Sequence, residues 1–247
     1  MRRPYPLHIH ISTLFLTLIV AVCAVLAGIG YRLSSSLLES SAAALTARIS
    51  RETLLEMRLI IDPAQMATRL LSQQSVSTAG SLVQRLESLE FLRLALDSSP
   101  ALSSLYVGYE NGDFFLLGRT GHGSDDESAR APSGARYVVQ SIERAAPVPR
   151  GVFMYFDDRL RLLRQDNRPD YVAAYDPRQR PWFAQARNDA GLVETAPYLF
   201  FSSRRVGTTL AHSADGGRAV VGADILLHTL GEALARQKVT PATAVAM

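Results

Sequence analysis

The chain is predicted to be α+β, with an N-terminal transmembrane helix, a long stalk helix, and a mainly antiparallel sheet with flanking helices. Three observations predict this. Residues 11–29 form an apolar run without a charge. From residue 31 to about residue 99 the pattern is helical, with Leu38, Leu45, Glu52 and Leu59 recurring every seven positions. After Pro100 short apolar runs alternate with turn residues, which is the pattern of strands.

Composition narrows the function classes. The 247 residues are 47% hydrophobic yet 20% charged, so apolar residues must be concentrated in one place. With 16 Gly and one Cys, the chain is neither collagen nor a disulfide scaffold. Cys23 lies inside the apolar run, which leaves the rest without a thiol nucleophile or a Cys-based zinc site. The net charge of +3, from 26 basic and 23 acidic residues, is too small and too scattered to indicate nucleic acid as a partner.

Nineteen helical residues span roughly 28 Å, close to the roughly 30 Å of a bilayer core. Arg2, Arg3 and the terminal amine precede the run, which predicts a cytoplasmic N-terminus (1–6) and a membrane helix over 7–31. A cleaved signal peptide usually has a shorter run of about 7–15 residues, although Ala21, Ala24 and Ala27 offer small residues for cleavage. Val22 is a poor fit to a lipoprotein signal at Cys23. The reading is an uncleaved anchor in a bacterial inner membrane, with everything after Arg32 in the periplasm and the lipid bilayer as a partner.

The stalk occupies 32–99. Ile49, Met57 and Ile60 widen its apolar face, and Ala42, Ala43, Ala44 and Ala47 favour helix. Asp62-Pro63 predicts a break, since a residue before proline avoids the α region. A second helix should reach about residue 75. Beyond Gly80, Leu82, Leu86, Leu89 and Leu96 share a stripe. The stalk either packs on its own domain or also forms the seam of a homodimer.

Residues 100–238 read as one module. Strands at 102–108 and 113–118 flank Asn111-Gly112, which predicts a type I′ hairpin. A polar loop follows at 121–132; its Asp125, Asp126 and Glu127 lack the spacing of a calcium loop. Next come a short helix at 135–144, paired strands at 151–156 and 160–164 around a solvated Asp157-Asp158, and a helix at 182–187 begun by Pro181. Strands near 193–202, 208–212 and 218–224 and a helix at 225–237 complete it. Val239-Thr240-Pro241 ends that helix and residues 242–247 read as the start of a further strand, so the sequence is expected to be part of a longer protein.

The densest chemistry lies in Tyr175-Asp176-Pro177-Arg178-Gln179-Arg180-Pro181-Trp182-Phe183. Arginine grips a carboxylate through two parallel hydrogen bonds, and Trp and Tyr supply flat walls with polar tips. This suits a small carboxylate ligand. A structural turn, with Asp176 paired to Arg178 and Trp182 in the core, fits the same residues. No Gly-x-Ser-x-Gly elbow, Walker A loop or His-x-x-x-His pair is present. These residues therefore indicate no catalytic site, metal site or cofactor, and His228 reads as an ordinary helix-face residue.

The segment YDPRQRPWF, with Ala196-Pro197-Tyr198, residues 206–211 (VGTTLA) and residues 221–225 (VGADI), resembles the double Cache sensor domains, extracytoplasmic ligand sensors of bacterial receptors. The resemblance covers roughly residues 35–247. It implies a stalk helix followed by two PAS-like modules, of which 100–238 is the membrane-distal one and 239–247 begins the membrane-proximal one. It implies a ligand site made of Tyr175, Arg180 and Trp182 with Tyr198 and Asp224. In amino-acid-binding members the arginine and tryptophan hold the carboxylate, and the last aspartate helps to hold the amine. Phe183 stands where Tyr is usual and Phe200 where a first amine-binding Asp is expected, so the carboxylate half of the site matches better than the amine half. An amino acid, a simple organic acid, an amine or no ligand stays open.

The function expected is a membrane-anchored periplasmic sensor region, itself no enzyme. It would relay a signal to a C-terminal output domain, on the resemblance alone one of the cyclic-nucleotide kind; cyclase, phosphodiesterase and kinase outputs are all compatible. A membrane-anchored periplasmic hydrolase is the alternative.

Overall fold

The structure, a computed structural model, describes residues 7–121, 130–229 and 231. The chain divides into two compact units, residues 1–54 and 55–247. Helix α1 (Leu7–Ser72) includes Ile11–Arg32, a stretch long and apolar enough to cross a membrane. The break expected at Asp62-Pro63 does not occur, because Pro63 lies inside α1. An interior proline costs about 3 kcal/mol. The adjoining turns bury Ala64, Ala67, Thr68 and Leu71, and that packing outweighs the lost hydrogen bond.

A 3₁₀ turn (Ser75–Thr78), α2 (Leu82–Leu86) and α3 (Leu89–Asp97) follow. Ser81 caps α2 by accepting from the Gln84 N–H. The sheet contains β1 (Leu102–Tyr109), β2 (Phe114–Arg119), β3 (Tyr137–Glu143), β4 (Arg150–Phe156) and β5 (Leu162–Asn167). Helices α4 (Pro169–Ala174) and α5 (Pro181–Ala186), separated by the 3₁₀ turn Pro177–Gln179, lead to β6 (Leu192–Glu194), β7 (Tyr198–Leu199), β8 (Val206–Ala214) and β9 (Ala219–Leu226). Among the described residues these nine strands form one antiparallel sheet in the order β5-β4-β3-β2-β1-β9-β8-β6, with β7 paired to β8. The predicted α+β class holds.

Period-two alternation gives the sheet two buried faces. One carries Leu105, Val107, Phe115, Leu117, Val139 and Val221 against Ala67, Leu71, Leu92 and Leu96 of the helices. The other carries Tyr106, Phe114, Leu116, Val138 and Phe153 against Tyr171, Tyr175, Trp182 and Phe183. A buried ion pair, Arg85 to Asp113 at 2.7 Å, ties α2 to the β1–β2 hairpin. Asp113 also accepts from the backbone N–H groups of Arg144 and Ala145.

Several local expectations are corrected. Residues 135–144 are not a helix; Tyr137–Glu143 is strand β3, whose β-branched Val138, Val139 and Ile142 pack on both faces. The β1–β2 connection is not type I′, since only Gly112, at φ 86°, has a positive φ there. The Gly112 N–H donates to Tyr109 O at 2.9 Å, closing a three-residue loop that ends on a left-handed glycine. Asp157 is not solvated: it is buried and accepts from the Arg159 and Arg161 N–H groups and the Arg161 guanidinium. The single strand expected at 193–202 is two, β6 and β7, with Pro197 between them. Strand β9 runs to Leu226, beyond the expected start of the last helix. The acidic part of the 121–132 loop, most of the 225–237 helix and the 242–247 strand lie outside the described residues.

Candidate functional site

Strands β1, β2 and β9 build the floor of a cavity on the sheet face that carries the aromatic residues. Register sets Asp224 of β9 beside Ser104 of β1 and Thr209 of β8. Asp224 is 5% exposed. Its Oδ1 accepts from the Tyr106 and Thr209 hydroxyls, both at 2.6 Å, and its Oδ2 accepts from Ser104 at 3.2 Å. The Thr209 proton is thereby directed to Asp224, which leaves its oxygen to accept from the Tyr198 hydroxyl at 2.8 Å. Among the described residues no cationic side chain pairs with Asp224. Burial pushes its carboxyl up to about 6, against the pull of the Thr209, Tyr106 and Ser104 hydroxyls and of the Arg180 charge.

Arg180 enters the same cavity from the start of α5, where Pro181 fixes the first turn. Its guanidinium carbon lies 5.7 Å from the Tyr198 ring centroid and 6.0 Å from that of Tyr175. It donates to Leu199 O at 3.4 Å and, among the described residues, makes no ion pair. Arg178, two residues earlier, is instead committed to Asp176 at 2.7 Å. Trp182 is 1% exposed and meets Tyr106 edge-on at 4.8 Å between centroids. Burial raises the Tyr106 and Tyr175 hydroxyls well above the usual phenol range, so both remain donors at neutral pH.

Tyr175, Arg180, Trp182, Tyr198 and Asp224 all line this cavity. The two structural expectations for the YDPRQRPWF segment also hold: Asp176 pairs with Arg178, and Trp182 fills the core. Neither uses Arg180. The cavity therefore offers a cation without an ion pair among the described residues and, on its floor, a buried anion, with aromatic side chains around them.

No protein-family model matches the chain. Over 153 residues, 60% of the chain, it is 31% identical to adenylate cyclase 1 of Rhizobium meliloti (strain 1021), of which it spans 22%. Over 66 residues, 26% of the chain, it is 39% identical to the methyl-accepting chemotaxis protein McpB of Bacillus subtilis (strain 168), of which it spans 10%. Its structure is similar to the sensory domain of the Campylobacter jejuni chemoreceptor Tlp3 with isoleucine bound, at a TM-score of 0.51 and 18% identity, covering 82% of this chain and 66% of that one. The L-valine complex of the same domain gives a TM-score of 0.52 and 19% identity at the same coverages. The chain has the fold of a chemoreceptor sensory domain.

That sensory fold agrees with the Cache resemblance of the sequence. Phe200, at the position where the resemblance expects an aspartate, is buried beside Tyr198 and lines the cavity. Among the cavity's described lining residues Asp224 is the one carboxylate. Sequence reasoning missed Tyr106, Thr209 and Ser104, the three hydroxyls that hold it. Alternation along β1 places Ser104 and Tyr106 on one face, but the partner strand is set by tertiary register. Phe201 and Tyr171, also in the wall, were missed because neither lies on a strand and only tertiary packing brings them to the cavity.

Proposed function

We propose that the chain is the sensor region of a membrane-anchored signal-transduction receptor, and that it binds a small zwitterion, an amino acid, between Arg180 and Asp224. The observation that carries this reading is the placement of an arginine and a buried carboxylate around one aromatic cavity, neither of them in an ion pair among the described residues. Arg180 supplies the fork for a carboxylate, Trp182 and Tyr175 the wall, and Asp224 the acceptor for an ammonium group. The bound isoleucine and L-valine of the Tlp3 sensory domain support the ligand class.

Ile11–Arg32 is the anchor in this reading, with the sensory unit in the periplasm. The relatives are much longer than the matched segment, and one of them is an adenylate cyclase. This supports a cyclic-nucleotide output domain as the receiver of the signal. The sensor segment itself carries no turnover. Isothermal titration of the full chain with amino acids tests the ligand class, and an alkaline phosphatase fusion at Ser99, active only outside the cytoplasm, tests the topology.

A further inference from the structure

Asp224 also borders a second cavity. Its floor is one lateral row of the sheet, bordered by Leu116 and Gln140 of the next. Register sets Asp224 beside Ser104, Ser104 beside Gly118, Gly118 beside Val138, and Val138 beside Tyr155. With strands about 4.8 Å apart, the three steps from Asp224 to Val138 make a trough of roughly 14 Å. The next row of the same face carries the larger Tyr106, Leu116 and Gln140. The row that starts at Asp224 thus carries Ser104 and Gly118 where its neighbour carries Tyr106 and Leu116; Gly222, at the start of that neighbouring row, lies under the Tyr106 ring.

Gly118 is the informative member of this row. Its φ is not in the left-handed region. A Cβ there would meet nothing nearer than the tip of the Leu116 side chain, at 3.3 Å. Glycine inside a strand costs stability and often marks the close approach of a ligand. The backbone conformation does not require a glycine here, and a Cβ would only need the Leu116 tip to give slightly; the missing side chain keeps the trough open. Asp224 and Arg119 are the charged residues bordering this cavity among those described. Arg119 is committed to Leu96 O at 2.6 Å and Ser99 O at 3.4 Å, at the end of α3. Its charge is also paired with Asp97 at 3.7 Å, which disfavours a charged tail.

We propose that the trough is the tail subsite of the sensor, and that it selects α-amino acids with an extended, uncharged side chain lying across β1 to β3, with Gly118 as the specificity-determining residue. This rests on the zwitterion reading of the neighbouring cavity. The test is isothermal titration of the full detergent-solubilised chain with glycine, L-alanine, L-methionine, L-phenylalanine, L-glutamate and L-lysine. L-methionine or L-phenylalanine is expected to bind at least about tenfold more tightly than L-alanine, and more tightly than L-glutamate and L-lysine. Gly118→Val should erase that advantage while leaving L-alanine within about threefold of its original affinity. Equal affinities across the uncharged series, a preference for L-glutamate or L-lysine, or unchanged selectivity in Gly118→Val overturns the tail subsite and leaves the zwitterion site standing. If none of the six binds, both readings fall. The wild-type series decides on its own if Gly118→Val does not fold.

Discussion

Tyr106 reaches Asp224 because its register partner, Gly222, has no side chain. A Cβ at 222 would sit 2.2 Å from Cε2 of the Tyr106 ring, so the phenol lies over the β9 backbone with its hydroxyl 2.6 Å from Asp224 Oδ1. The glycine of the VGADI segment therefore shapes the site without touching a ligand. Gly222→Ala should displace the ring and cost about 1–3 kcal/mol of stability through overpacking. Urea unfolding measures that cost, and ligand affinity should fall with it.

Asp224 sets opposing demands on stability and binding. Its carboxyl is raised from the ordinary 3.8 to about 6 by burial. The folded state thus binds the proton more tightly than the unfolded state does. This contribution favours folding below pH 4 and is lost as pH rises from about 4 to about 6, on the order of 3 kcal/mol in all. Asp224→Asn should therefore raise the melting temperature of the ligand-free chain at pH 7 by a few degrees, while removing the partner of a ligand ammonium. For the same reason, amino-acid affinity should decline below about pH 6 in the wild type. Differential scanning fluorimetry with and without L-alanine between pH 5 and pH 8 checks both.

Arg85 and Asp113 are 1% and 4% exposed in their side chains and 2.7 Å apart, on the far face of the sheet from the cavity. Arg85→Met would leave Asp113 as an unpaired buried anion, at a cost of about 3–5 kcal/mol. Affinity in the fraction that remains folded should be unchanged. Denaturant titration alongside calorimetry separates the two quantities.

Leu59 is 75% exposed on α1, and Leu55, Met66 and Leu70 are also exposed. If this face is the seam of a homodimer, Leu59→Asp should lower disulfide cross-linking of Leu55→Cys in membranes, in a Cys23→Ser background. Its effect on unfolding should stay within about 0.5 kcal/mol, as for an ordinary surface position. Equal cross-linking in both variants leaves the face without a dimer role.

Local chemistry was legible in the sequence, and non-local pairing was not. Arg180 and Trp182 fall in one short segment with Pro181 to start a helix, so their convergence could be read directly. Asp224 could be placed through the VGADI strand. Ser104, Tyr106 and Thr209 are ordinary alternating residues until β1 and β8 flank β9. The 135–144 segment misled because β3 is buried on both faces and so lacks the polar alternation that marks a half-exposed strand. Asn111-Gly112 marked the right hairpin but the wrong turn, because the Asn111 side chain accepts from the Asp113 N–H at 2.9 Å with Asn111 itself at negative φ. Pro63 misled because local propensity yields to the burial of the α1 face around it.

The most direct test of the account is calorimetric titration of an amino acid into the wild-type chain, Arg180→Ala and Arg178→Ala. A hydrogen bond to a charged group contributes about 1.5–3 kcal/mol, so Arg180→Ala should weaken binding at least about tenfold. Arg178, held by Asp176 at 2.7 Å, should be replaceable with a smaller loss. Equal binding by the wild type and both variants, with all three folded, would contradict a ligand carboxylate at Arg180 and with it the zwitterion site.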